Sequence, residues 1–148
     1  MRFVGHLRSA VALSATLLAS CTSPSGSDAM DIAMRRARWV AHHVTAYEYD
    51  YRITGFFTSF AGHTIHLTVR DGAVQSATDV TVGAPASMPP AQWPTIDALF
   101  DEMERSNQYG ALRAATFDAT LDYPTQFEVV GLPDASGTVF ASSVRALP

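Results

Sequence analysis

Cysteine is almost missing. Cys21 is the only one in 148 residues, so no disulfide can close within the chain, and a folded domain must rest on its packed core. Lysine is missing altogether: ten arginines face fourteen acidic residues, a formal net charge of −4. That acidic balance argues against nucleic acid as a partner and against electrostatic adhesion to anionic lipid. No apolar run reaches the ~20 residues that cross a bilayer as a helix. Gly-x-Ser-x-Gly, His-Glu-x-x-His and a phosphate-cradling Gly-x-x-x-x-Gly-Lys loop are also missing. "VVGLPDASG" carries its glycines at the wrong spacing, and Ser142 and Ser143 fall in an ordinary closing strand. No catalytic residue, metal ligand or cofactor is therefore assigned.

What is present begins at the amino end. Arg2, His6 and Arg8 precede the uncharged "AVALSATLLA" of residues 10–19, the layout of a secretory signal peptide. Leu18-Ala19-Ser20-Cys21 resembles the bacterial lipobox, a branched apolar residue and two small ones before an obligatory cysteine. That resemblance implies cleavage before Cys21, diacylglycerol on its sulfur and a fatty acyl chain such as palmitate on the new amino terminus. Several chains at about 0.8 kcal/mol per buried CH2 anchor stably where one is marginal. The expectation is a signal peptide over 1–20, a lipidated cysteine and flexible tether over 21–28, and one domain over 29–148. Loss of Arg2 and Arg8 leaves eight arginines and a charge of −6. Thr22, where an inner-membrane retention signal has Asp, points to the periplasmic face of the outer membrane if the cell is Gram-negative.

Periodicity then predicts an α+β fold, an antiparallel sheet with two helices on one face in the order α-β-β-β-α-β-β-β. Asp28 is expected to cap a first helix burying Met30, Ala33, Met34, Ala37, Val40 and Ala41, with Arg35, Arg38 and His42 solvated. Tyr47, Tyr49, Tyr51 and Ile53 alternate with Glu48, Asp50, Arg52 and Thr54, as in a half-buried strand. "HTIHLTVRDGAV" repeats that period up to an Asp71-Gly72 turn, and a third strand runs from about Ala73 to Val82. A second helix, capped by Thr95, carries the stripe Ile96, Leu99, Phe100 and Met103 and an Asp101–Arg105 pair. Three strands follow, separated by "DYPT" and "PDASG". The repeated order hints at duplication, with no residue identity behind it.

Two stretches are candidates for a partner or ligand surface. "GFFTSFAGH" crowds Phe56, Phe57 and Phe60 into a strand connection, and "ASMPPAQW" offers Met88 and Trp93. Simple packing competes with recognition in both, since a small domain needs large side chains to seal its core. A zinc site would need one histidine from His42/His43 and one from His63/His66, with Asp50 or Asp71. A hydrolase would need His63 or His66 beside Asp50, Asp71 or Asp118. Polar outward strand positions account for these residues without either.

The succession "WVAHHVTAYEYDYRI", "HLTVRDGAVQSA", "TIDALFDEME" and "TFDATLDYPTQFEV" resembles DUF6174, a family of small bacterial envelope lipoproteins of unknown function. The resemblance covers about Trp39 to Val130. It implies an extracytoplasmic lipoprotein domain and carries no activity over. Many members have Cys-x-Cys where this chain has Gly55-Phe56-Phe57, so no metal or redox role attached to those cysteines transfers. A glycine is commoner in the family at Leu121-Asp122, which leaves the turn geometry open. The shared Asp118, Tyr123 and Thr125 are expected to form a polar network fixing a hairpin, with a ligand-facing carboxylate as the alternative. The functional expectation is a non-enzymatic, membrane-anchored domain. It binds membrane lipid through Cys21 and binds or supports an envelope protein. Small-molecule binding and hydrolysis are the alternatives.

Overall fold

The structure is a computed structural model describing residues 25–55, 58–131 and 136–148, without the side chains of 25–30. The expected signal peptide, Cys21, the start of the tether, Phe56 and Phe57, and the Met30 side chain lie outside the described residues. No helix among the described residues is long and apolar enough to cross a membrane.

The chain runs α1 (Ser25–Ala41), β1 (Ala46–Thr54), β2 (Thr64–Arg70), β3 (Ala73–Asp79), a two-residue β4 (Ala84–Pro85), a 3-10 turn (Pro90–Gln92), α2 (Ile96–Gln108), β5 (Leu112–Phe117), β6 (Pro124–Val129) and β7 (Gly137–Ala146). The strands form one antiparallel sheet, β4-β3-β2-β1-β7-β6-β5. The fold is α+β. A local two-fold between duplicated halves would pair equivalent strands at the junction; here the first strand of one half meets the last of the other.

Alternation dictates the centre of the sheet. Tyr47, Tyr49 and Ile53 of β1 and Ile65, Leu67 and Val69 of β2 are buried, while the residues between them are partly exposed. Asp71 and Gly72 both have positive φ, 52° and 73°, which closes a two-residue hairpin with the twist its strands need. The third strand ends earlier than expected, at Asp79, because Asp79 turns its carboxylate onto the backbone N–H of Thr81 at 3.0 Å.

Helix α2 buries the expected stripe: Ile96, Leu99, Phe100 and Met103 are each 3 % exposed or less. Thr95 caps it by accepting from the Ala98 N–H at 3.2 Å. Tyr47 accepts a further first-turn N–H, that of Ile96, at 2.9 Å, and Tyr49 donates to the Pro94 carbonyl at 2.5 Å. Tyr47 thus satisfies one of the N–H groups that a helix start leaves orphaned, and Tyr49 ties down the carbonyl just before the cap. Their burial pushes both phenols up, Tyr47 to about 12.

Four expectations are corrected. Arg105 pairs with Glu102, not Asp101, at 2.5 Å, because Asp101 is taken by Arg36 of α1 at 2.7 Å. Helix α1 starts at Ser25, before the expected Asp28 cap, and faces the other way. Among its described side chains Ile32 and Trp39, seven residues apart, are the buried ones, whereas Ala33, Met34, Ala37, Val40 and Ala41 are exposed. Trp39 packs edge-on against Tyr47 and Tyr123, at 5.5 and 6.4 Å between ring centres. Trp39 is far larger than any alanine of that stripe, so turning it inward buries much apolar area at one position. Arg35 is half-buried instead of fully solvated, and it crosses to Asp122 at 2.6 Å.

Candidate functional site

A groove of about 540 Å³ opens between β1, β6, β7, α2 and the Trp93-Pro94 connection. Ile53, Phe127 and Val139 form its floor, Tyr51, Trp93 and Leu99 its walls, and Thr58, Ala98, Glu102 and Arg105 its lip. Trp93 is held firmly. Its indole N–H donates to the Met88 carbonyl at 3.1 Å, and its ring meets Phe60 at 4.8 Å and Tyr51 at 6.0 Å. The Tyr51 phenol is pushed up to about 12, first by burial and then by the nearby Glu102 carboxylate, so it stays a neutral hydroxyl at any physiological pH. Such a cavity can take an apolar group and meet a polar end at the Glu102–Arg105 pair.

The candidate aromatic surface is therefore only partly a surface. Trp93 is 4 % exposed and Phe60 and Met88 are half-buried against the core; of these, Trp93 lines the groove.

The opposite parity of β1 carries polar chemistry. His66 Nδ1 lies 2.8 Å from Asp50 Oδ1, and its Nε2 is 3.7 Å from Glu48, which also pairs with Arg145. Arg52 stacks over the Phe140 ring at 4.2 Å. His63 Nδ1 meets Asp79 at 2.6 Å, and this hydrogen bond holds the Asp79 carboxyl below the usual carboxylate range despite its burial. No group of three or more His, Cys, Asp and Glu among the described residues is placed to hold a metal ion. The zinc arrangement is not assembled: His66 meets Asp50 and Glu48, while His42 of the other cluster approaches Asp122 at 3.9 Å.

Asp118, Tyr123 and Thr125 are not one side-chain network. Asp118 accepts from the Thr120 and Leu121 N–H groups at 2.9 and 2.7 Å, a local turn. Thr125 pairs with Thr116 across strands at 2.8 Å, and Tyr123 packs on Trp39. The acid that reaches across the fold is Asp122. Its φ of +61° is the left-handed conformation that glycine favours, so the turn is kept while the carboxylate gains Arg35. In the sequence only the glycine that the family resemblance implies at Leu121-Asp122 hinted at it. The groove is not legible in the sequence because its lining comes from distant segments, although Tyr51 and Trp93 each stand out there.

A family model described as a family of unknown function, DUF6174, matches residues 31–138. No curated protein and no solved structure matches the chain.

Proposed function

The chain belongs to the DUF6174 family, and from that premise we propose that it is a non-catalytic envelope lipoprotein binding an apolar group of another envelope component in the Trp93 groove. The anchor in this reading is acylated Cys21, supported by Leu18-Ala19-Ser20-Cys21, with the periplasmic face of the outer membrane as the destination in a Gram-negative cell. Both helices are read as covering the tyrosine-bearing face of the sheet, which is what creates a groove at the edge of α2.

The groove carries the proposal. Its volume of about 540 Å³ falls within the usual range of ligand sites, roughly 300–1,000 Å³, and its aromatic walls desolvate whatever enters. A small molecule is the alternative occupant of the same cavity. A hydrolase built on His66 and Asp50 has its pair at 2.8 Å, but Asp50 and the groove-lining Tyr51 are neighbours on a strand and so face opposite sides of the sheet. That separates the dyad from the groove and leaves it beside a smaller cavity of about 270 Å³ that Asp50 lines with Arg52 and Ser142.

The probe 8-anilinonaphthalene-1-sulfonate combines an apolar ring system with one anion, matching the walls and Arg105. Its fluorescence is expected to rise saturably with the wild-type protein and to lose most of that rise in Ala98→Phe, which fills the lip. Equal signals from both proteins, each confirmed folded by circular dichroism, would remove the groove as a binding site.

A further inference from the structure

We infer that the outward face of α1 lies flat on the lipid bilayer, so that the domain is held against the membrane surface and not merely tethered near it. The inference rests on the proposed acylation of Cys21. Ala33, Met34, Ala37, Val40 and Ala41 recur at helical spacing on one side of α1, and all are exposed, Met34 by 42 % and Val40 by 56 %. Around the helix they span ~120° at 100° per residue. Trp39 and Ile32 already satisfy the sheet side, so this second apolar stripe has no counterpart among the described residues. A helix apolar on two sides gains nothing from the outer one in water, whereas an interfacial helix buries such a face in the acyl boundary.

The position of the anchor selects the bilayer as occupant. Cys21 is four residues before the first residue of α1, and four residues reach at most ~14 Å even when extended. An acylated Cys21 therefore brings the start of α1 to the membrane surface, and the remaining choice is which side it presents. The sheet side is occupied and the Arg36 side is engaged with Asp101 and Glu104 of α2. The side with Arg35, Arg38 and His42 is charged and gathers around Asp122, which leaves the stripe as the free apolar side. Because the mature chain is acidic, contact is driven by apolar burial and should resist salt, unlike a polybasic attachment.

The single cysteine makes the test clean. Acylation blocks the Cys21 sulfur, so Ala37→Cys or Val40→Cys supplies the only free thiol in the full chain isolated from membranes. Tyr109, 77 % exposed and on a different element, gives the control Tyr109→Cys. Each variant is labelled with the environment-sensitive dye NBD and mixed with or reconstituted into phosphatidylethanolamine–phosphatidylglycerol vesicles. Emission from positions 37 and 40 is expected to rise several-fold, to be quenched by doxyl-labelled lipid and to persist in high salt, with little change at 109. No rise at 37 and 40, or a rise that doxyl lipid does not quench, overturns the inference; the second result assigns the face to another copy of the chain. Intact mass of the same samples counts acyl chains and dyes. Acylated protein without the signal defeats the surface contact alone. The signal without acylation, where peptide mapping places the dye at position 37 or 40 and not on the then-free Cys21, defeats the anchor alone, and loss of both defeats both.

Discussion

Leu99→Ala lowers the free energy of unfolding by about 2–5 kcal/mol, while Met34→Ala in α1 changes it by no more than ~0.5 kcal/mol. Leu99 is 3 % exposed between Ile96, Phe100 and Met103, so truncation removes its transfer free energy and leaves a void its well-packed neighbours cannot close. Because Leu99 also forms a wall of the groove, part of that void joins an existing opening and can admit water. The loss should therefore fall short of the upper end of the range. Met34 occupies an apolar position of equal prominence in the sequence, yet it is 42 % exposed. Urea unfolding of the two variants separates the helices: similar losses would mean that α1 buries the stripe its periodicity suggests.

A methyl group at position 55 is the other severe change expected. Gly55 has a φ of +86°, and a Cβ there would stand 2.7 Å from the Ser136 carbonyl oxygen and 3.0 Å from the Gly137 Cα. Both obstacles are backbone and cannot rotate away. Left-handed conformation costs a non-glycine residue roughly 1–2 kcal/mol, and forced overpacking adds about 1–3 kcal/mol, so Gly55→Ala should cost about 2–5 kcal/mol. Gly72 is the comparison. Its φ is +73°, and a methyl there would meet nothing within 4 Å, so Gly72→Ala carries only the conformational part, about 1–2 kcal/mol. Equal losses in the two variants, read from the same urea curves, would show that β1 and β7 part easily at this end.

These two tests touch what the sequence could and could not disclose. The alternation of Tyr47, Tyr49 and Ile53 was readable because a strand's period is fixed at two and its buried face must be apolar. The stripe of α2 was readable for the parallel reason, since Ile96, Leu99, Phe100 and Met103 have no rival side. Helix α1 has two apolar sides. Periodicity chose the broader one, with Met34 and Val40, whereas the fold chose the pair Ile32 and Trp39, whose large side chains seal the sheet against Tyr47 and Tyr123. The arginine at position 35 misled for a related reason: its long stem lets it cross the interface and end on Asp122. No local pattern could foretell the groove, whose walls come from residues as far apart as Tyr51 and Val139 and converge only through the β1–β7 pairing.

The claim that the groove holds part of another envelope component is tested most directly by photocrosslinking in intact cells. The photoreactive residue p-benzoylphenylalanine is placed at Ala98, on the groove lip, and separately at Arg113, exposed on β5 outside the groove. Irradiation is expected to give a discrete adduct from position 98 and none from 113, with the adduct lost when Glu102→Trp blocks the opening. No adduct from position 98, or the same adducts from both positions, would contradict a groove-bound partner.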